Sequence, residues 1–370
     1  MEGWPKHPLS QFVTHKSGDS KIIKGKQSPE PRPDLVQGFS ASGPDVWVKD
    51  AAYECPGIVI SAVGARCGKT FLATGSWTPI ANTHALIPGP EIDVRWLWYL
   101  TNDEAFWVKG GTAQPFVKVK PTLQRPIAIP PLPEQERIVA ILDEAFAAIA
   151  TATANAEKNL ANARELFESV FDRLLSGAEG EWPHKQLGDC CDVKTGKKDV
   201  NEGNPDGAFP FFTCAKEHTY SDVYSFDTEA ILIAGNGAVG QTSYYKGKFE
   251  AYQRTYVLSG FHGVDVRFLH HVLETKLAAE VSKSKLGNTM PYIKMGMLTG
   301  FEYPSPPLAD QHDLVVALDR AKGNCKAVAS NATQKLAHLD NLKQSLLHKA
   351  FTGELTADSK AADRSLSEVI

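Results

Sequence analysis

The chain has 370 residues, room for two to three domains with sizeable cores at roughly 150 residues each. Apolar residues at 42% and charged residues at 22% exclude the polar, charge-biased composition of a disordered chain. A net charge of -4 excludes a histone-like binder carried by bulk positive charge.

No apolar run approaches the ~20 residues of a membrane span, and Met1-Glu2-Gly3-Trp4-Pro5 lacks the order of a signal peptide. A cytoplasmic protein without a membrane partner is expected. The cysteines Cys55, Cys67, Cys190, Cys191, Cys214 and Cys325 show no C-x-x-C spacing, so they read as reduced thiols rather than metal ligands or a disulfide framework.

In chain order, residues 1–130 are rich in Gly, Pro, Thr and short β-branched runs, which predicts short strands, irregular loops and one helix near 93–107. This is an α+β module. Residues 131–178 follow a proline cluster and carry a proline-free helical pattern from position 134 up to Gly177, which predicts one long helix. The chain then repeats itself at an offset of about 172 to 178 residues. Trp4-Pro5 recurs as Trp182-Pro183, Ser17-Gly18 as Thr195-Gly196, and Ile58-Val59-Ile60 as Ile231-Leu232-Ile233. Asp93-Val94-Arg95 recurs as Asp265-Val266-Arg267, Pro115-Phe116-Val117-Lys118 as Pro291-Tyr292-Ile293-Lys294, and Pro131-Leu132-Pro133-Glu134-Gln135 as Pro307-Leu308-Ala309-Asp310-Gln311. The second module is therefore 179–306, with its helix near 265–282, the second long helix 307–354, and a C-terminal tail 355–370.

Both long helices carry apolar residues at steps of four and three. The seam runs through Ile138, Leu142, Ile149, Ala156 and Leu166 in the first, and through Leu318, Val328, Leu339 and Leu346 in the second, with Asn159 and Lys335 as matching polar positions. A helix of 44 residues is ~66 Å long and would leave much of its stripe uncovered on a single module. The expected solution is an antiparallel coiled coil relating the two modules by a pseudo-two-fold axis. Duplex DNA has that symmetry by construction.

Catalytic signatures are missing from the sequence. Gly64-Ala65-Arg66-Cys67-Gly68-Lys69-Thr70 has three residues between its glycines where a phosphate-binding loop needs four, and its counterpart Gly237-Ala238-Val239-Gly240-Gln241-Thr242 has no lysine. Both read as glycine turns after buried strands, with polar side chains placed to meet a ligand. Asn204-Pro205-Asp206-Gly207 lacks the aromatic that would stack on a flipped base. Charge is unevenly spread: residues 1–130 carry 14 Lys+Arg and 11 Asp+Glu, whereas residues 131–180 carry 4 and 9. The acidity is concentrated in the first long helix. Candidate nucleic-acid contacts are Lys24, Arg66, Lys69, Gln114 and Lys118 in the first module, and Lys197, Lys198, Asn236, Gln241, Asn288 and Lys294 in the second. Their chemistry pairs cations for phosphate with amides for base edges.

The tandem modules, each closing on a proline cluster and then on Leu132-Pro133-Glu134-Gln135-Glu136-Arg137-Ile138 or its looser copy Leu308-Ala309-Asp310-Gln311-His312-Asp313, resemble the specificity (S) subunit of type I restriction-modification enzymes. The resemblance implies two target recognition domains, each reading half of a bipartite sequence in double-stranded DNA. It also implies that the coiled coil acts as a spacer and docks two modification (methyltransferase) subunits, with restriction (endonuclease/translocase) subunits joining them. On that reading the chain is non-catalytic, it binds no cofactor itself, and S-adenosylmethionine, ATP and Mg2+ sit on its partners. Two alternatives remain: a coiled-coil scaffold whose modules bind protein or glycan, and a methyltransferase with its own cofactor.

Overall fold

The computed structural model describes residues 4–176, 182–283 and 292–357. The chain forms two compact units, one from residues 1–155 with 335–370 and one from residues 156–334. Each is an α+β body that includes half of each long helix.

In the first unit a four-stranded antiparallel sheet has the spatial order Val13–Ser17, Thr83–Pro88, Gly57–Ser61, Thr70–Ala73. Its central strand has Ile58, Val59 and Ile60 fully buried, which explains a continuous apolar run where a one-sided strand would alternate. Ile58 and Ile60 pack with Trp96 and Leu97 of the helix Val94–Thr101, whereas Val59 packs with Phe39, Trp77 and Ala85 on the other face. A three-stranded sheet covers that second face, with Val36–Ser40 between Gly43–Val48 and Trp77–Pro79.

The second unit repeats the same four-strand order with Asp192–Thr195, Thr255–Ser259, Phe226–Ala234 and Thr242–Ala251. The last of these runs on unbroken and pairs with Phe209–Phe212, itself paired with Thr219–Ser221, so one six-stranded sheet does the work of the two sheets above. Gly18 and Gly196 occupy matching bends. A Cβ at either would lie 2.1 Å or 1.9 Å from a carbonyl oxygen, so only glycine permits the close approach. The module helix differs most, with eight residues in Val94–Thr101 against 18 in Val266–Lys283.

The long helices are Leu132–Leu175 and Leu308–Thr352. They pair antiparallel within each unit. In the first unit Ile138, Leu142 and Phe146 share a core with Leu346, Leu347, Ala350 and Phe351, and the Lys343 ammonium sits 5.5 Å above the Phe146 ring. In the second, Phe171, Leu174 and Leu175 share a core with Leu314, Val315 and Leu318.

The seam departs from the heptad reading in mid-helix. Ile138, Leu142, Ala156 and Leu318 are buried, and Ile149, Leu339 and Leu346 are half-buried. Leu166, however, is 58% exposed and Val328 is 47% exposed. The inward positions there are Leu160, Ala163 and Phe167 on one helix and Ala329, Ala332 and Leu336 on the other, while Asn159 and Lys335 face solvent. A straight α-helix drifts about 20° per heptad against a seven-residue repeat, so after three heptads the stripe moves to the neighbouring residue.

All six cysteines are free thiols. Against the expectation that nothing in the chain has the character of a membrane span, Leu132–Leu175 is long and apolar enough by length and composition. Several of its apolar side chains are spent on protein cores, Ile138, Val139 and Leu142 in the first unit and Phe171 in the second.

Candidate nucleic-acid interface

Each module is fastened to a long helix by the same two devices. The first is the glutamine of the repeated proline motif. Gln135, fully buried, accepts from the Asp93 backbone N–H at 2.8 Å and donates to the carbonyls of Glu91 and Pro130, both at 2.9 Å. Gln311 does likewise, accepting from the Asp265 N–H at 2.7 Å and donating to the Pro306 carbonyl at 2.7 Å. Asp93 and Asp265 in turn cap the module helices through their side chains. One amide thus satisfies backbone groups at a helix start that would otherwise be buried without partners.

The second device is a carboxylate two turns further along each long helix. Asp143 accepts from Arg95 and from the Tyr99 hydroxyl, each at 2.6 Å. Asp319 takes Arg267 and His271, each at 2.9 Å. Burial and the bond to Asp143 push the Tyr99 hydroxyl well above the usual phenol range, so it stays a donor throughout physiological pH. Burial pushes His271 down and opposes the pull of Asp319 toward the charged form.

On modules held this way, the glycine motifs form hairpins. Gly64 and Gly68 have φ of 90° and 94°, values open to glycine, and the Gly68 N–H bonds back to the Ser61 carbonyl at 2.9 Å. A strand follows rather than a helix, so the backbone does not build the helix-terminus anion site of a phosphate loop. Gly237 and Gly240 repeat the positive φ at 63° and 80°.

Segments distant in sequence meet at these hairpins. The Gly64 N–H bonds to the Pro115 carbonyl and the Val117 N–H to the Ala62 carbonyl, both at 2.9 Å, which sets Gln114 and Lys118 beside Arg66 and Lys69. In the second module the Ile293 N–H bonds to the Gly235 carbonyl at 2.9 Å, which sets Lys294 beside Asn236. Arg66, Gln114 and Lys118 are exposed, and the Lys69 ammonium lies 5.8 Å from the Phe71 ring. Lys294 is exposed and lies 5.7 Å from the Tyr292 ring. These six positions form one basic and amide-bearing edge per module.

The remaining candidates lie elsewhere or are already engaged. Lys24 is paired with Asp45 at 2.6 Å, and Lys198 with Glu202 at 2.7 Å. Lys197 is exposed beside it. Gln241 donates to the Lys216 carbonyl at 2.9 Å and so shapes a loop. Asn288 lies outside the described residues. Sequence reasoning passed over the fasteners Asp143, Asp319 and Tyr99, whose partners are 44 to 52 residues away, and it read His271 as a partly exposed surface residue where the structure buries it against Asp319. It also passed over Lys216, His218 and Ser243, which line a cleft in the second module. Among the described residues no group of three or more His, Cys, Asp or Glu is placed to hold a metal ion.

Two copies of one sheet, each tied to a long helix by a buried glutamine and a carboxylate and each presenting a polar hairpin edge, define a duplicated recognition protein built on paired helices. The family model for the type I restriction modification DNA specificity domain matches residues 46–160 and 179–336, and the chain belongs to that family. It is 33% identical over 178 residues to the type I restriction enzyme EcoDI specificity subunit of Escherichia coli, a match covering 48% of this chain and 39% of that protein. The chain thus aligns with well under half the length of that relative. A chain from a structure addressing complex assembly and conformational transition of the type I R-M system superposes with a TM-score of 0.74 at 18% identity, over 96% of this chain and 99% of that one. The HsdS subunit from Thermoanaerobacter tengcongensis superposes with a TM-score of 0.54 at 18% identity, over 96% and 98%. Both share the fold of two tandem modules and long helices. Family membership disfavours the scaffold for protein or glycan.

Proposed function

We propose that this chain is the DNA sequence-specificity subunit of a type I restriction-modification enzyme. Each module reads one half of a bipartite target in double-stranded DNA, and the paired long helices set the spacing between the halves and dock two modification subunits. Restriction subunits join that assembly in the cytoplasm. The chain itself is non-catalytic, with S-adenosylmethionine held by the modification subunits and ATP and Mg2+ by the restriction subunits.

The observation that carries this reading is duplication of the fastening together with the reading edge. A single binding surface needs no second copy with the same glutamine and aspartate ties, whereas a bipartite target needs two. The net charge of -4 fits an assembly in which partner subunits supply much of the positive surface around the duplex.

The test is methylation sequencing of cells that express the chain with its cognate modification subunits. One bipartite motif is expected, and exchanging residues 1–130 for those of a relative changes only one of its halves. A change in both halves, or methylation with no bipartite motif, overturns the proposal.

A further inference from the structure

The second module holds a cleft that the first has closed. It has a volume of about 50 Å³ and lies against one face of the six-stranded sheet. Phe212 and Leu232 supply apolar surface, and Lys216, His218, Gln241 and Ser243 bring polar groups to it. The loop along one side is braced at three points. The Ala238 N–H donates to the Cys214 carbonyl at 3.0 Å, Gln241 Nε2 to the Lys216 carbonyl at 2.9 Å, and Thr255 Oγ1 to the Phe212 carbonyl at 3.1 Å. His218 lies against Phe212 with ring centroids 5.1 Å apart. The cleft is therefore built in advance of any ligand, and the glycine hairpin of the candidate edge is one of its supports.

Register shows why the first module lacks it. Ser243 sits opposite Leu232, and in the first module the equivalent pair is Phe71 opposite Val59. The Phe71 ring occupies the corresponding space so fully that a Cβ at Gly43 would lie 3.1 Å from it. In the first copy Phe71 and the three-stranded sheet with Phe39 and Trp77 fill this face, whereas in the second Ser243 leaves part of it open.

We propose that the cleft is a base-reading pocket of the second module, taking an exocyclic group of one base of the DNA target. This rests on the DNA-reading function proposed above. A phosphate would be served by cations alone, whereas this lining mixes a lysine, an imidazole and a hydroxyl with an apolar wall, the mixture a base edge presents in return. The volume suits a methyl or amino substituent. The first module, closed by Phe71, reads its half through other positions.

The experiment uses the full chain with its modification subunits and reads methylation across all variants of both half-sites, with the halves assigned by the exchange of residues 1–130. Ser243→Phe fills the cleft. The expected result is at least a tenfold loss of methylation of the wild-type motif, or degeneracy at one position, confined to the second module's half. Lys216→Ala and His218→Ala alter exposed side chains and should show the same confined effect even where Ser243→Phe fails to fold by circular dichroism. Methylation of the unchanged motif at the wild-type rate by Lys216→Ala, His218→Ala and any folded Ser243→Phe chain overturns the pocket, and so does an effect spread over both halves. A wild-type chain that directs no bipartite methylation overturns the function itself, a result distinct from either.

Discussion

The two modules agree where they meet the helices and disagree where they face outward. Gln135 and Gln311 each accept from the aspartate N–H at the start of the module helix and donate to a proline carbonyl, Arg95 with Asp143 matches Arg267 with Asp319, and the four-strand order is identical. The outer strands, by contrast, form a separate three-stranded sheet in one copy and extend the main sheet in the other. One copy closes a face with Phe71 and the other opens it at Ser243. Attachment centres in both copies on a buried glutamine bonded to backbone groups, and a buried polar arrangement of that kind tolerates little change. The outer strands carry no such tie to a long helix, so they are free to differ with what each module binds.

The sharpest way to break that comparison is to remove the glutamine from each copy in turn. Gln135→Leu and Gln311→Leu each strand a backbone N–H and at least one carbonyl in a buried place, so each should cost about 3–5 kcal/mol in urea unfolding. Costs that differ by more than about 2 kcal/mol between the copies would show that the shared geometry hides unequal attachment. Within the first long helix, Leu142→Ala should lose about 3 kcal/mol, whereas Leu166→Ala, being 58% exposed, should lose less than about 0.5 kcal/mol. Equal losses would restore the strict heptad seam.

The smallest effect expected is on pH. Burial and the neighbouring His15 push His84 in the first unit down to about 4, and burial pushes His270 in the second down to about 4. Both histidines are neutral in the folded chain and protonate more readily unfolded, where the ordinary value is 6.5. Their stabilising contribution is therefore complete above about pH 6.5 and is lost as pH falls toward 4. Calorimetry between pH 7 and pH 5 should show the Tm falling by roughly 5 °C, and His84→Gln should reduce that slope for the first unit alone. A flat Tm over this range would mean that neither ring is held neutral.

Much of this architecture was legible in the residues. The duplication, the long helices and the continuous apolar strands follow from identities at a fixed offset, from the lack of proline and from runs such as Ile58-Val59-Ile60. Part of the mid-helix seam was not: the count placed Asn159, Leu166, Val328 and Lys335 inward where they face solvent, because a seven-residue count assumes a supercoil that a straighter helix does not follow, although Ala163 and Ala332 of the same count are buried. The glutamine was visible as part of a motif, yet its role was hidden, since its partners are backbone atoms of Glu91, Asp93 and Pro130 that carry no side-chain signature. The reading edge was half legible. Arg66, Lys69, Gln114 and Lys118 were picked as types and are brought together by main-chain bonds no pattern encodes, whereas Lys24 and Lys198 were picked without sight of Asp45 and Glu202. The cleft was not legible, because it lies where the two copies differ: Phe71 and Ser243 occupy equivalent positions and do not match.

The bond from Thr356 to Glu134 joins the residue just past one long helix to the first turn of the other. The first unit is thereby assembled from both ends of the chain, while the second is a contiguous stretch, 156–334. A ribosome delivers the whole second unit before the cover for the first has been made, and until residues 346–355 emerge, Ile138, Leu142 and Trp96 lack their packing partners Leu346, Ala350, Phe351 and Leu355. Closing a loop of nearly two hundred residues is slow and leaves apolar surface open meanwhile. Order of birth along the chain is thus the reverse of order of completion: the half made first is finished last.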